Sequence, residues 1–117
     1  MKIAIFGSRK IDTEKAYKFL YDNMISEHEY ITSGKIKGVA EIARQIAAEK
    51  GLKIQLYNYK SDNGLYTALQ DIAVKNKRMV EACEAAIVIW NGTSKGTERE
   101  IQMLKKNNKH IILNKIN

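Results

Sequence analysis

Proline is missing from this 117-residue chain, and cysteine occurs only once, at Cys83. A single cysteine cannot form an intrachain disulfide, so the fold depends on its core, and a reducing compartment such as the cytoplasm is expected. No apolar run approaches the ~20 residues of a membrane-spanning helix, so we expect no membrane partner. The apolar residues 1–8 run into Arg9 and Lys10 without a small-residue cleavage motif. This segment therefore predicts a buried first strand and not a signal peptide.

Residues that bind metals are also scarce. The chain has two histidines, His28 and His110, and they cluster neither with each other nor with Cys83. Structural and catalytic metal sites need three or four such ligands at close spacing. No Ser-His-Asp arrangement can be argued either. The sequence therefore predicts no metal centre and no bound cofactor.

Positive charge is in excess, with 20 lysines and arginines against 13 acidic residues and a formal net charge of +7. Such a balance favours anionic partners, which include nucleotides, nucleic acids and acidic proteins. Much of the excess lies near the C-terminus, at Lys105, Lys106, Lys109 and Lys115. A solvated helix face and tail is the favoured interpretation, and a nucleic-acid surface is the alternative.

Short apolar runs alternate with helical patterns along the whole chain. Five strands are predicted, at 2–6, 30–33, 53–57, 85–90 and 110–113. Helices between successive strands imply parallel pairing with right-handed crossovers. We therefore predict a single α/β domain over residues 1–117, with a three-layer Rossmann-like fold. Its five-stranded parallel sheet should have the first and fourth strands adjacent near the middle.

The four predicted helices have recognisable ends and faces. Asp12 or Thr13 caps the first helix, the second lies between Gly38 and Gly51, and the fourth begins near Thr97. A loop at 61–64 precedes the third helix. The third helix has the clearest apolar stripe, formed by Leu69, Ile72, Ala73, Asn76, Met79, Val80 and Cys83.

Three of the loops that follow the strands, at 7–9, 33–38 and 91–97, are rich in Gly, Ser, Thr and basic residues. In a doubly wound sheet, ligands bind beyond the carboxyl ends of the strands, where the strand order reverses. These residues suit phosphate, because glycine lets the backbone approach while hydroxyl and amide groups donate hydrogen bonds. None of the loops completes a P-loop or a three-glycine dinucleotide motif. The phosphate prediction therefore depends on three such loops at one sheet edge.

Four segments together resemble a known family. Residues 3–9 look like an opening strand with a Gly-Ser-Arg turn, and 31–43 resemble a Ser-Gly-Gly-Ala-x-Gly-x-Asp-x-x-Ala block. Residues 77–80 are similar to an Arg-Asn-x-x-Met-Val region, and 92–97 to a Gly-x-Ser-x-Gly-Thr loop. In order and spacing these segments resemble the SLOG superfamily of Rossmann-like nucleotide-binding proteins, especially its YpsA-related and DprA-related members.

The resemblance implies a protein that binds or senses a nucleotide or nucleotide-derived ligand at the C-terminal edge of the sheet, and a homodimer. Lys35 stands where the family usually has a second glycine, and Glu41 where it often has aspartate. The implied ligand-binding residues are Gly7, Ser8, Arg9, Ser33, Gly34, Lys35, Asn76, Gly92, Ser94, Gly96 and Thr97.

Several of these residues also have a purely structural interpretation. Asn76 is either a core amide satisfied by the backbone or a side chain directed at the site. Ser33 and Gly34 either bind ligand or only form the turn into the second helix. Trp90, at the end of the fourth strand, either stacks on a base or packs at the end of the sheet.

Glu100 and Arg78 are the candidate catalytic residues. Residues 96–100 match the Gly-Thr-x-x-Glu of cytokinin-activating phosphoribohydrolases, in which, by resemblance, the glutamate works near the ribose of a nucleoside monophosphate. Thr97 and Glu100 also fit a Thr-x-x-Glu capping box at a helix start, which is the favoured interpretation. The Pro-Gly-Gly that precedes the loop in those enzymes is absent.

Three functions therefore remain open. The first is binding or sensing of a nucleotide-derived small molecule. The second is an enzyme that hydrolyses the N-glycosidic bond of a nucleoside monophosphate with Glu100 and Arg78. The third is DprA-like binding of single-stranded nucleic acid, which the net charge of +7 favours.

Overall fold

A computed structural model describes residues 1–58 and 65–116, with the side chains of 65–71 left out of the description. Strands and helices alternate throughout, as the sequence predicts. The elements in chain order are β1 (Lys2–Gly7), α1 (Thr13–Asn23), β2 (Glu29–Ser33), α2 (Val39–Lys50), β3 (Ile54–Tyr57), α3 (Leu65–Ala82), β4 (Ala85–Trp90), α4 (Lys95–Lys106) and β5 (His110–Lys115).

The five strands form one parallel sheet in the order β3-β2-β1-β4-β5. β1 and β4 are central neighbours, in register from Ile3 opposite Ala85 to Gly7 opposite Ile89. Both features confirm the predicted fold. Because the chain leaves β1 toward β2 and leaves β4 toward β5, the strand order reverses between these two strands. A crevice is expected at their carboxyl ends.

The pleat of β1 divides the core into two layers. Ile3 and Ile5 point to one face, where they pack with Ala16 and Leu20 of α1 and the buried side of α2. Ala4 and Phe6 point to the other face, against apolar residues of α3 and α4. Successive strand residues face opposite sides of a sheet, so a strand that is apolar throughout needs helices on both faces. The result is the predicted three-layer architecture.

Two details of the helices differ from the predictions. α4 begins at Lys95 with Ser94 as its N-cap, two residues before the predicted start near Thr97. In α3, Ala73 is exposed beside the exposed Val74, while Lys75 is buried, so the inward stripe is rotated from the predicted one. The predicted loop at 61–64 and the side chain of Leu69 lie outside the described residues. In the described part of the chain, no helix has the length and apolar character of a bilayer crossing.

Candidate functional site

A cleft of about 560 Å³ opens at the carboxyl ends of β1 and β4, where the strand order reverses. Its walls come from the loops after β1, β2 and β4 and from the facing sides of α3 and α4. The predicted site residues that line it are Gly7, Arg9, Ser33, Asn76, Ser94, Gly96, Thr97 and Glu100. A volume of this size lies within the range of small-molecule sites.

Hydrogen bonds join the loop after β1 to the loop after β4. The hydroxyl of Ser8, which is 1% exposed, accepts from the backbone N–H of Asn91 at 3.1 Å and lies 3.1 Å from the hydroxyl of Thr97. The side-chain amide of Asn91 donates to the carbonyl of Lys10 at 2.9 Å. Ser8 therefore lies below the cleft and not in its lining. Its polar atoms position the two loops.

Two glycines let α2 approach the end of β1. A Cβ on Gly7 would lie 2.5 Å from the side chain of Val39, the first residue of α2. Gly38 has φ 81°, which favours glycine, and a Cβ there would lie 2.5 Å from the carbonyl oxygen of Ser8. The backbone N–H of Val39 donates to that same carbonyl at 3.3 Å. These glycines serve close packing of the backbone at the rim of the cleft.

The N-terminus of α4 faces the cleft. The Ser94 hydroxyl accepts from the Thr97 backbone N–H at 3.4 Å and from the Thr97 hydroxyl at 3.1 Å. The first amides of a helix have no intrahelical acceptor and carry partial positive charge. Gly96, in this first turn, is exposed, and the nearest atom to a Cβ placed there is the Ser94 hydroxyl at 4.0 Å. Gly96 thus leaves open space beside these amides.

Because Ser94 is the cap, the capping-box interpretation of Thr97 and Glu100 is wrong. In a capping box the N-cap hydroxyl and a glutamate three residues later bond reciprocally. Here Thr97 occupies the third position, and Glu100 lies one turn further into α4, facing the cleft. The structural explanation that competed with a functional one is therefore removed for Glu100.

The surroundings of Glu100 favour its neutral form. Burial raises the pKa of this carboxyl to about 8, although the positive charges of Lys75 and Arg9 act in the opposite direction. Desolvation penalises an ionised carboxylate more than nearby cations compensate for it here. Glu100 is thus mostly protonated at neutral pH and can donate a proton or a hydrogen bond.

Lys75 is the site residue that sequence reasoning missed. Its side chain is 4% exposed, lines the cleft from α3, and donates to the Ser33 hydroxyl at 2.7 Å. Burial lowers the pKa of Lys75, and the charge of Glu100 partly opposes this shift. Its spacing, three residues after Ile72 and four before Met79, places it on the inward face. A lysine at an apolar position of a helical stripe was the available signal.

Positive charge dominates the cleft. Among its described lining residues, Arg9, Lys10, Lys75 and Arg99 are cationic, and Glu100 is the acidic one. Together with the N-terminus of α4, this arrangement attracts anions. Among the described side chains, those of residues 1–58 and 72–116, no group of three or more potential metal ligands occurs.

The remaining predicted residues lie outside the cleft lining. Lys35 and Arg78 are exposed, so Arg78 does not join Glu100 as a catalytic pair in this structure. Gly34 packs against the side chain of Asn58, and Gly92 has φ 87° and packs against Lys115. Those two glycines have structural roles here.

The side chain of Trp90 also lies outside the cleft lining. Its indole N–H donates to the carbonyl of Ser94 at 3.0 Å, and its ring packs on the core layer under α4. The ring therefore supports the loop after β4 from behind. Base stacking by Trp90 has no support from its position.

Asn76 lines the cleft from α3 next to Lys75. Its side-chain oxygen is buried and has no hydrogen-bond partner among the described residues. The backbone does not satisfy this oxygen, so the interpretation of Asn76 as a core amide satisfied by the backbone is not supported.

Comparisons with known proteins give information on the fold alone. The chain is similar to the C-terminal domain of a hydrogenase from Pyrococcus furiosus, with a TM-score of 0.50, 10% identity, and coverage of 97% of this chain and 90% of that domain. At this identity the likeness concerns the fold alone. No family model matches the chain, and a comparison with curated proteins finds no match either.

Proposed function

We propose that this protein binds a phosphate-bearing nucleotide or nucleotide derivative in the cleft between the loops after β1 and β4. The observation that carries the proposal is the meeting of four cationic side chains and a helix N-terminus at the point where the strand order reverses. The open space beside Gly96 allows a phosphate to approach the first amides of α4. The SLOG-like segments of the sequence point to the same ligand class.

The size and lining of the cleft support a ligand larger than a free phosphate. A volume of about 560 Å³ holds a nucleotide, and apolar side chains from Ile36, Ala40 and Ile72 line part of it. The cationic groups suit the phosphate, and the apolar wall suits a base or sugar. This combination favours a small nucleotide over an inorganic anion.

The test is isothermal titration with AMP, GMP, CMP, UMP, ADP and ADP-ribose, using a charge-matched pair of double variants. Arg9→Ala with Arg99→Ala removes two cations that line the cleft, and Lys35→Ala with Lys37→Ala removes two exposed cations from the loop after β2. We expect the first pair to weaken binding by at least about tenfold, because charged hydrogen bonds are lost, and the second to leave it unchanged. Equal losses in both would place the ligand elsewhere, and no binding to the wild type would refute the proposal.

Hydrolysis of an N-glycosidic bond is a second candidate, favoured by one observation. Glu100 faces the cleft, does not cap its helix, and has a pKa raised to about 8 by burial. A carboxyl that is protonated at neutral pH can give its proton to a departing base as a general acid. Arg78 takes no part in this version, because it is exposed away from the cleft.

Chromatographic detection of free base tests the hydrolase candidate. We expect the wild type to release little or no base, because the enzyme signature around Glu100 is incomplete. Robust release that falls by roughly a hundredfold or more in Glu100→Gln would instead establish the enzyme, since removal of an acid–base group has this effect. Titration with single-stranded DNA at two salt concentrations tests the nucleic-acid alternative, whose affinity should fall steeply with salt.

A further inference from the structure

Asn76, which lines the cleft from α3, carries a hydrogen-bond acceptor without a partner among the described residues. The side-chain oxygen of Asn76 is buried and makes no hydrogen bond within the described part of the chain, although Asn76 lines the cleft. Buried polar atoms in folded proteins are nearly always paired, because an unpaired one has lost water without compensation. Because Asn76 lines a ligand-sized cleft, a bound ligand can supply the missing partner.

The ionisable groups that line the cleft with Asn76 are donors at neutral pH. Lys75 precedes it on α3, Arg9 and Arg99 line the same cleft, and Glu100 is protonated at neutral pH. These groups suit the anionic part of a ligand, which only accepts hydrogen bonds. The side-chain oxygen of Asn76 is an acceptor, so it suits a ligand hydroxyl or amino group, which donates. Rotation about the last side-chain bond, whose torsion is soft, turns this oxygen toward the cleft without moving α3.

We propose that Asn76 is a specificity-determining residue whose side-chain oxygen accepts a hydrogen bond from a hydroxyl or amino group in the uncharged part of the bound nucleotide. This inference rests on the proposed function and deepens it. The site then selects ligands that combine an anionic end with a donor on the sugar or the base. An analogue that lacks the donor leaves the buried oxygen unpaired and binds more weakly.

The experiment measures the affinity of AMP and three analogues that each lack one donor, by isothermal titration. They are 2′-deoxy-AMP and 3′-deoxy-AMP, which lack a ribose hydroxyl, and purine riboside 5′-monophosphate, which lacks the amino group of the base. The variant is Asn76→Leu, similar in shape but without the acceptor, and the control is Asn114→Leu on β5, outside the cleft lining. Asn76→Ala serves as a second variant if the leucine is poorly accommodated.

In the wild type we expect one analogue to bind about tenfold to a hundredfold more weakly than AMP, which identifies the donor. In Asn76→Leu, AMP should weaken by a similar factor and the preference for AMP over that analogue should disappear. The melting temperature of ligand-free Asn76→Leu should equal or exceed that of the wild type, because an unpaired polar atom has been removed. Asn114→Leu should retain wild-type affinity and discrimination.

Three results would overturn the inference. One is wild-type affinity and discrimination in both Asn76 variants, which would leave the proposed function standing. Another is a melting temperature several degrees lower for both variants without ligand, which would assign Asn76 a structural role. The third is equal wild-type affinity for AMP and all three analogues, because the site would then recognise none of the donors that they lack.

Discussion

Two glycine-containing loops on the same sheet edge have similar compositions and different structural roles. The loop after β4 presents Ser94, Gly96 and Thr97 to the cleft. The hydrogen bond from the Asn91 N–H to the Ser8 hydroxyl and the one between the Ser8 and Thr97 hydroxyls hold it to the loop after β1. The loop after β2 contributes Ser33 and Ile36, while Gly34 packs on Asn58 and Lys35 points to solvent.

The difference lies in what each loop packs against. The loop after β4 joins a central strand at the reversal of strand order, so its neighbours leave a crevice in front of it. The loop after β2 is held from behind by Arg44, whose guanidinium donates to the carbonyls of Ser33 and Ile36 at 2.6 and 2.9 Å. Composition favours phosphate in both loops, but the first amide of α2 donates to the Ser8 carbonyl, whereas Gly96 leaves open space beside the first turn of α4.

The largest expected effect comes from Gly96→Asp in the loop after β4. The new carboxylate occupies the open space beside the first amides of α4, so we expect nucleotide affinity to fall by at least about a hundredfold. Stability should be unchanged or slightly higher, because an acidic residue in the first turn of a helix is favourable. Gly96→Ala is the control and should have a small effect on both. Calorimetric titration measures the affinity, and a melting curve measures the stability. Undiminished affinity in folded Gly96→Asp would show that the ligand does not bind at the N-terminus of α4.

The next effect concerns the pH dependence of stability through Glu100. Its pKa is about 8 in the folded protein against the ordinary value of 4.5, so the folded state binds more protons than the unfolded state between these values. The unfolding free energy should therefore fall as pH rises from about 4.5 to 8, and the penalty should be absent below 4.5. Glu100→Gln removes this penalty, and should raise the unfolding free energy at pH 8 by on the order of 4 kcal/mol.

Urea unfolding at pH 4.5 and pH 8 measures this difference. The matched control is Glu98→Gln, which removes an exposed carboxyl from the same helix. It should leave the pH profile close to that of the wild type. A Glu100→Gln profile parallel to the wild type would show that Glu100 is ionised in the folded protein and would remove support for a general acid.

A smaller effect is expected at the end of the loop after β2, from Gly38→Ala. The new Cβ would lie 2.5 Å from the Ser8 carbonyl at a residue with φ 81°. Strain at a backbone position of this kind costs about 2 kcal/mol, so the urea midpoint should fall clearly. Retained stability in this variant would show that the approach of α2 to β1 is less close than described.

The smallest effect is expected from Gly34→Ala, in the same loop. Its new Cβ would meet the side chain of Asn58, which is exposed and can move aside. We expect a loss below about 1 kcal/mol in unfolding free energy and unchanged nucleotide affinity. A loss of affinity without a loss of stability would return Gly34 to the list of ligand contacts and narrow the contrast between the two loops.

Much of the architecture was predictable because it depends on local patterns. The apolar run at 85–90 predicts a strand, and the helical spacing of Ala16 and Leu20 predicts a helix with these residues on its buried face. Both predictions use only residues that are close in sequence, and the structure confirms both. The edge that carries the cleft also followed from the alternation of strands and helices. The start of α4 was harder, because Ser94 and Thr97 are both good N-caps, and the choice depends on which hydroxyl the surrounding loops occupy.

The sequence by itself determined the parallel sheet, its central pair of strands and the edge where a ligand site forms, since apolar periodicity and strand alternation express these directly. Only the tertiary structure decided which polar residues belong to the cleft. Ser8 and Thr97 are 89 positions apart and meet through their hydroxyls, and Lys75 becomes buried against Ser33 across 42 positions. The raised pKa of Glu100 likewise depends on desolvation and on charges from other elements. Such interactions depend on distance in space, which no local sequence pattern specifies.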